Sequence, residues 1–367
     1  MSEQIAPDFS NQAVHPFISR KAFFIILAAT IVVSALITRF IYQNAIGNSQ
    51  VANGSTVAQS ETQTQLTIQT GSITPKDILC DVIFFREKDF KLIKPLLFAD
   101  APAQSDELKP LNDLLSSKIQ ELERANILTK ATVYYKEINT TRWTVVNGYH
   151  RYHPGSMLKI ATMICIFKMM EKDPTFKEKQ IFLSSNLPLG VSVHPPHPLR
   201  AGQSYSVRQL LQAMIEFSDN DATGLLFKEV NQADYAGLFT DLGIEVPEIY
   251  GWDYTITASD YARFYRVLYN ASYLNRASSE MALTLLTQTT FKNGMVKNFP
   301  ANVIVAHKFG ERMTEVKSLQ FHDAGIVYVG NRPYVAVFMT EGMNIDVLPD
   351  AIAQLSSICY DYAIAQK

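Results

Sequence analysis

Residues 22–38 read AFFIILAATIVVSALIT, 17 positions without a charge. That is long enough to cross most of a bilayer's hydrocarbon, and it lacks the polar stripe of a helix on a water-soluble core. Phe40, Ile41 and Tyr42 extend it past Arg39, whose stem can snorkel, so a single transmembrane helix is expected over residues 22–42. Arg20 and Lys21 precede it, and no Lys or Arg follows Arg39 until Lys76. The positive-inside rule then puts residues 1–21 in the cytoplasm and the remainder outside. A cleaved leader is the alternative; it would be unusually long and no small-x-small site follows, so an uncleaved anchor is expected.

Residues 43–72 turn to Gln, Asn, Ser, Thr and Gly with one charge, Glu61, and cannot bury a core. They are expected to form a flexible tether, followed by a lead-in segment over 73–110 that packs on the main body. With 367 residues, 47% of them hydrophobic, the chain can build a large core beyond that point. Its net charge of −2, without a basic cluster, excludes the usual nucleic-acid surface. Cys80, Cys165 and Cys359 are too scattered for a disulfide framework or a zinc site, and His194 and His197 lie in a proline-locked stretch without an acidic partner at ligand spacing. No metal or cofactor is expected.

The folded region is expected over 111–367. Apolar residues at helical spacing predict a helix over 111–124, and strands are expected at 129–136 and 141–147. Residues 170–206 read as irregular. Helices are expected over 207–217, 232–242 closed by Gly243, 258–269 with Thr257 and Asp260 as a capping box, and 277–287. Alternation from Val303 to Lys308 predicts a strand, residues 325–329 and 334–340 a hairpin, and 345–367 a terminal helix.

Three short motifs fall in order on these elements: Ser156-Met157-Leu158-Lys159, Ser218-Asp219-Asn220 and Lys308-Phe309-Gly310. Pro154 and Gly155 break any helix before Ser156, and a long apolar run follows Lys159, which places the serine at a helix entrance with the lysine one turn on. A serine beside an amine there can become a nucleophile. The ordered set resembles the class A β-lactamases and penicillin-binding proteins, whose motifs are S-x-x-K, S-D-N and K-T-G. The resemblance covers residues 111–367. It implies an antiparallel sheet flanked by helices, with an inserted helical domain at about 172–300, and a monomeric serine hydrolase acting on β-lactams or D-alanyl stem peptides of peptidoglycan.

Residue by residue, the resemblance implies that Ser156 attacks the carbonyl and Lys159 takes its proton. Ser218 would relay a proton to the leaving nitrogen, and Asn220 would hold the substrate amide. Lys308 would face the substrate carboxylate and help keep Lys159 neutral, Gly310 would leave room for substrate along the strand, and the N–H groups of Glu311 and Ser156 would form the oxyanion hole.

Two departures qualify this. Phe309 stands where the family carries a hydroxyl, so carboxylate recognition is expected to be weakened or rerouted through Arg312 or Thr314. No E-x-x-L-N loop lies between Asn220 and Thr257; Glu248 is a weak stand-in for the base that activates the deacylating water. The sequence therefore leaves three outcomes: a β-lactamase, a penicillin-binding peptidase that deacylates slowly, and a non-catalytic wall-binding module of the same fold.

Overall fold

The computed structural model describes residues 82–88, 90–186, 199–248, 253–313 and 319–366. The expected anchor and tether, His194, His197 and Thr314 lie outside them. Among the described residues no helix is long and apolar enough to cross a membrane.

A five-stranded antiparallel sheet organises the molecule, in the order β4 (Trp143–Val146), β3 (Lys130–Glu137), β9 (Tyr334–Gly342), β8 (Leu319–Tyr328), β7 (Ile304–Met313). Strand β9 runs buried along both faces, because side chains of period two feed two separate cores. Val335, Val337 and Met339 point into the larger core; Tyr334, Ala336 and Phe338 point into the other.

The second core is closed by α1 (Lys109–Arg124) and the terminal α8 (Leu348–Ala365), whose Leu111, Leu115, Ile119, Ile352, Leu355 and Cys359 face the sheet. Both helices fall where apolar spacing predicts them. The larger core holds α2 (Lys159–Lys172), α3 (Val207–Glu216), α4 (Asn220–Glu229), α5 (Gln232–Asp241), α6 (Ala258–Tyr269) and α7 (Arg276–Thr287). Ser206 caps α3 through a complete capping box with Gln209, and Thr257 caps α6 by accepting from the Asp260 N–H. Gly243 ends α5 at φ +65°.

Three differences from expectation stand out. Residues 170–206 are not simply irregular: β5 (Gln180–Leu183) and β6 (Gln203–Ser206) pair as an antiparallel hairpin. Helix α4 begins on the last residue of the Ser218 motif, although Asp221 and the small Ala222 and Gly224 in its first turns weaken its apolar periodicity. The lead-in also has structure of its own, a hairpin of β1 (Ile83–Arg86) and β2 (Leu96–Asp100) clamped on α6. There Arg266 Nη1 donates to Asp100 Oδ2 at 2.6 Å and Nη2 to Ala99 O at 2.7 Å, with the guanidinium over the Phe98 ring.

Candidate active site

Ser156 lies in one 3-10 turn, Gly155–Leu158, that runs directly into α2 at Lys159. Residues three apart eclipse in such a turn, which brings both side chains to one side. The turn is held by distant groups. Tyr152 and Ile256 exchange two backbone hydrogen bonds, the His153 N–H donates to Gln320 Oε1 at 3.0 Å, and the Tyr261 hydroxyl donates to Met157 O at 2.9 Å. The Thr340 N–H donates to His322 Nδ1 at 3.2 Å, leaving the ring proton on Nε2 to meet His153 O at 3.0 Å. Burial pushes the His322 pKa down to about 4.

Strand β7 closes the sheet at this end, and its free edge abuts the turn. A methyl group on Gly155, which sits at φ +53°, would lie 2.5 Å from Glu311 O. One on Gly310 would lie 2.5 Å from Pro154 O and 2.8 Å from the Met157 nitrogen. The room that Gly310 leaves is therefore taken by the Ser156 turn, where the sequence suggested substrate. His307 O and Phe309 O accept from Thr289 Oγ1 and Lys308 Nζ on this edge, away from β8. The same alternation turns the Glu311 backbone toward it.

Lys159 and Lys308 converge on Ser218. Lys159 Nζ donates to Ser218 O at 2.5 Å, to Ser218 Oγ at 3.1 Å and to Asn220 Oδ1 at 2.8 Å. Lys308 Nζ donates to the same Ser218 hydroxyl at 2.9 Å and to Phe309 O at 3.0 Å. Ser218 adopts φ +56°, a costly conformation for a non-glycine residue, and so presents both its carbonyl and its hydroxyl to the amines. Asp219, next to it, caps α4 by accepting from the Ala222 N–H at 2.7 Å. The motif is thus a helix cap and an amine-binding turn at once.

Burial holds Lys159 down to about 7, against the opposing pull of Asp219 and Glu311. Lys308 is held well below the ordinary lysine range, by burial first and by Lys159 second. Desolvation, more than the like-charge repulsion expected from the sequence, is what keeps Lys159 near neutrality. A half-buried serine three residues from such an amine is the arrangement nucleophilic catalysis requires.

Ser156, Lys159 and Asn220 open on a cleft of about 430 Å³ that is also lined by Phe227, Tyr235, Tyr254 and Glu248. Glu248 is exposed at its rim and makes no hydrogen bond or ion pair among the described residues. Phe309 does not stand in the cleft. Its ring is 1% exposed and stacks 4.4 Å from the Phe291 centroid and 5.9 Å from that of Phe321, with the Lys308 ammonium 4.2 Å away. Packing on Phe291 and Phe321 turns the ring out of the cleft, so Phe309 does not set an apolar ring against substrate where the family carries a hydroxyl.

Sequence reasoning missed one buried pair behind Lys308. His307 Nδ1 lies 2.9 Å from Asp323 Oδ1, and Asp323 Oδ2 accepts from the Met295 N–H at 3.0 Å. Only the register of β7 on β8, Phe309 opposite Asp323, brings these groups together, and no local motif marks it.

A family model for the beta-lactamase enzyme family (Beta-lactamase2) matches residues 114–363. Comparison with curated proteins gave no match. Among solved structures, the chain resembles the TLA-1 extended-spectrum β-lactamase at 20% identity and a TM-score of 0.60, over 68% of this chain and 98% of that one. PBP-A matches at 19% identity and 0.58, over 69% and 96%. A class A β-lactamase from Mycobacterium abscessus matches at 17% and 0.58, over 69% and 98%. These likenesses share the fold, and the family model spans both cores and all three motifs: the chain belongs to the beta-lactamase enzyme family of serine hydrolases.

Proposed function

We propose that the chain forms an acyl-enzyme at Ser156 with β-lactams or related D-alanyl peptides. The observation that carries this reading is the convergence of two buried lysines on the Ser218 hydroxyl, one of them Lys159, which shares the cleft with Ser156. Neutral Lys159 removes the Ser156 hydroxyl proton as Oγ attacks the carbonyl carbon. The oxyanion is met by the N–H groups of Ser156 and Glu311. When the C–N bond breaks, the leaving nitrogen takes a proton through the Ser218 hydroxyl, which Lys308 and Lys159 flank. Lys308 and Asn220 hold the substrate carboxylate and amide. A non-catalytic wall-binding module has no use for a lysine whose burial outweighs the pull of Asp219 and Glu311, and this weighs for catalysis.

The second step is the point of choice between β-lactamase and penicillin-binding peptidase. Glu248 reaches the cleft rim yet stays exposed and without a partner among the described residues, which favours slow deacylation. We further propose that residues 22–42 anchor the chain with its cleft outside the cytoplasm, on the strength of their apolar run and flanking cations. A fluorescent penicillin should label the full chain covalently, Ser156→Ala should abolish the label, and the label should persist for hours. Absence of labelling overturns the acylation reading; loss of label within seconds overturns slow deacylation.

A further inference from the structure

The hairpin of β1 and β2 has one face spent and one face open. Phe85, Leu97 and Phe98 turn inward, with Phe85 stacked 4.5 Å from Phe98 and capped by Arg263. Outward, Phe84, Phe90, Leu92, Ile93 and Leu96 are all exposed, Leu92 at 91% and Ile93 at 58%. Such crowding of large apolar side chains within a few residues is what a water-facing loop avoids. Charge is interleaved with them: Arg86, Lys88, Lys91 and Lys94 against Glu87 and Asp89. Glu87 turns inward, 4.0 Å from Lys168, while Lys91 and Lys94 flank the apolar tip in solvent.

We propose that this face docks on an anionic lipid bilayer, Leu92 and Ile93 entering the acyl boundary while Lys91 and Lys94 meet the headgroups. An apolar tip ringed by cations is the pattern of interfacial binding. A second copy of the chain fits less well, because two-fold pairing would set the same cations against each other. The clamp of Arg266 on Asp100 and Ala99 makes the hairpin a firm platform, so contact at the tip orients the folded unit on the membrane surface. The inference is independent of the chemistry at Ser156.

The test uses the full chain with Leu92→Trp in phosphatidylglycerol-containing vesicles whose acyl chains are brominated near the headgroup. The added emission, taken as the difference from the wild-type chain, should shift blue and fall about twofold relative to non-brominated vesicles. Adding K91E and K94E should remove the quenching. Unquenched emission from vesicle-bound protein overturns the proposal, and so does a lipid-free dimer that L92D/I93D converts to monomer. Flotation of L92D/I93D with the vesicles reports separately on the anchor, and an unchanged far-ultraviolet circular dichroism spectrum shows that the variants fold.

Discussion

The Lys159 amine is surrounded by oxygens of Ser218 and Asn220 and shut away from water, with its pKa at about 7. Below that value it carries a proton and cannot accept one from Ser156. The single-turnover acylation rate should therefore rise about tenfold per pH unit below neutrality and level off above it. Lys159→Arg, which stays charged throughout, should remove both the plateau and the rate. A profile flat from pH 5 to about 9 would show that Lys159 is not the base. Phe309 allows a second prediction at this scale. Restoring the family's hydroxyl by Phe309→Thr opens a void between Phe291 and Phe321, so stability should fall by about 3 kcal/mol in denaturant melts. No gain in acylation should accompany it. That Lys159, Ser218, Asn220 and Lys308 converge, and that Ser156 and Lys159 share a cleft, was legible because each motif is short and its chemistry local. The facing of Phe309 was not, because its ring is turned away by packing on Phe291 and Phe321. The His307–Asp323 pair was not, since it depends on cross-strand register.

Strand β7 and the Ser156 turn meet backbone to backbone, and that contact positions Ser156. Gly310→Ala would place a methyl group within 2.5 Å of Pro154 O, an approach that one of the two elements must relieve by moving. Stability should drop by about 2 kcal/mol. Acylation should drop more than a matched loss of stability elsewhere causes, which a stability-matched core variant would check. His322 joins β8 to the same turn as a neutral ring. As pH falls from 6.5 toward about 4 the unfolded chain binds a proton that folded His322 refuses, so its stability contribution is complete above 6.5 and is lost on acidification. The loss is on the order of 3 kcal/mol. His322→Gln should flatten this limb in urea midpoints measured across that range. Two of the elements left unread, α4 and the pairing of β5 with β6, have weak or short apolar periods, and tertiary packing decides their state.

Across the whole molecule, stability is divided between two cores on opposite faces of one sheet, with the N-terminal hairpin attached to the larger. That attachment depends on few groups. Arg266 is buried between Asp100, Ala99 O and the Phe98 ring, and the nearest other cation to Asp100 is Lys136 at 3.7 Å. Burial, with Arg266 nearby, holds Lys136 down to about 8, so it stays mostly protonated at neutral pH, and from that distance it compensates Asp100 only in part. Arg266→Ala should leave a carboxylate with little compensation and destabilise the chain by about 3 kcal/mol. Asp100→Ala in the same chain should restore at least about 1 kcal/mol of that, since the cost lies in the orphaned charge. Chemical denaturation of both variants measures the difference. Penicillin labelling should change less than about twofold, because the clamp touches neither Ser156 nor the amines around Ser218. A double variant as unstable as Arg266→Ala alone would mean that the guanidinium acts through packing on Phe98 rather than through Asp100.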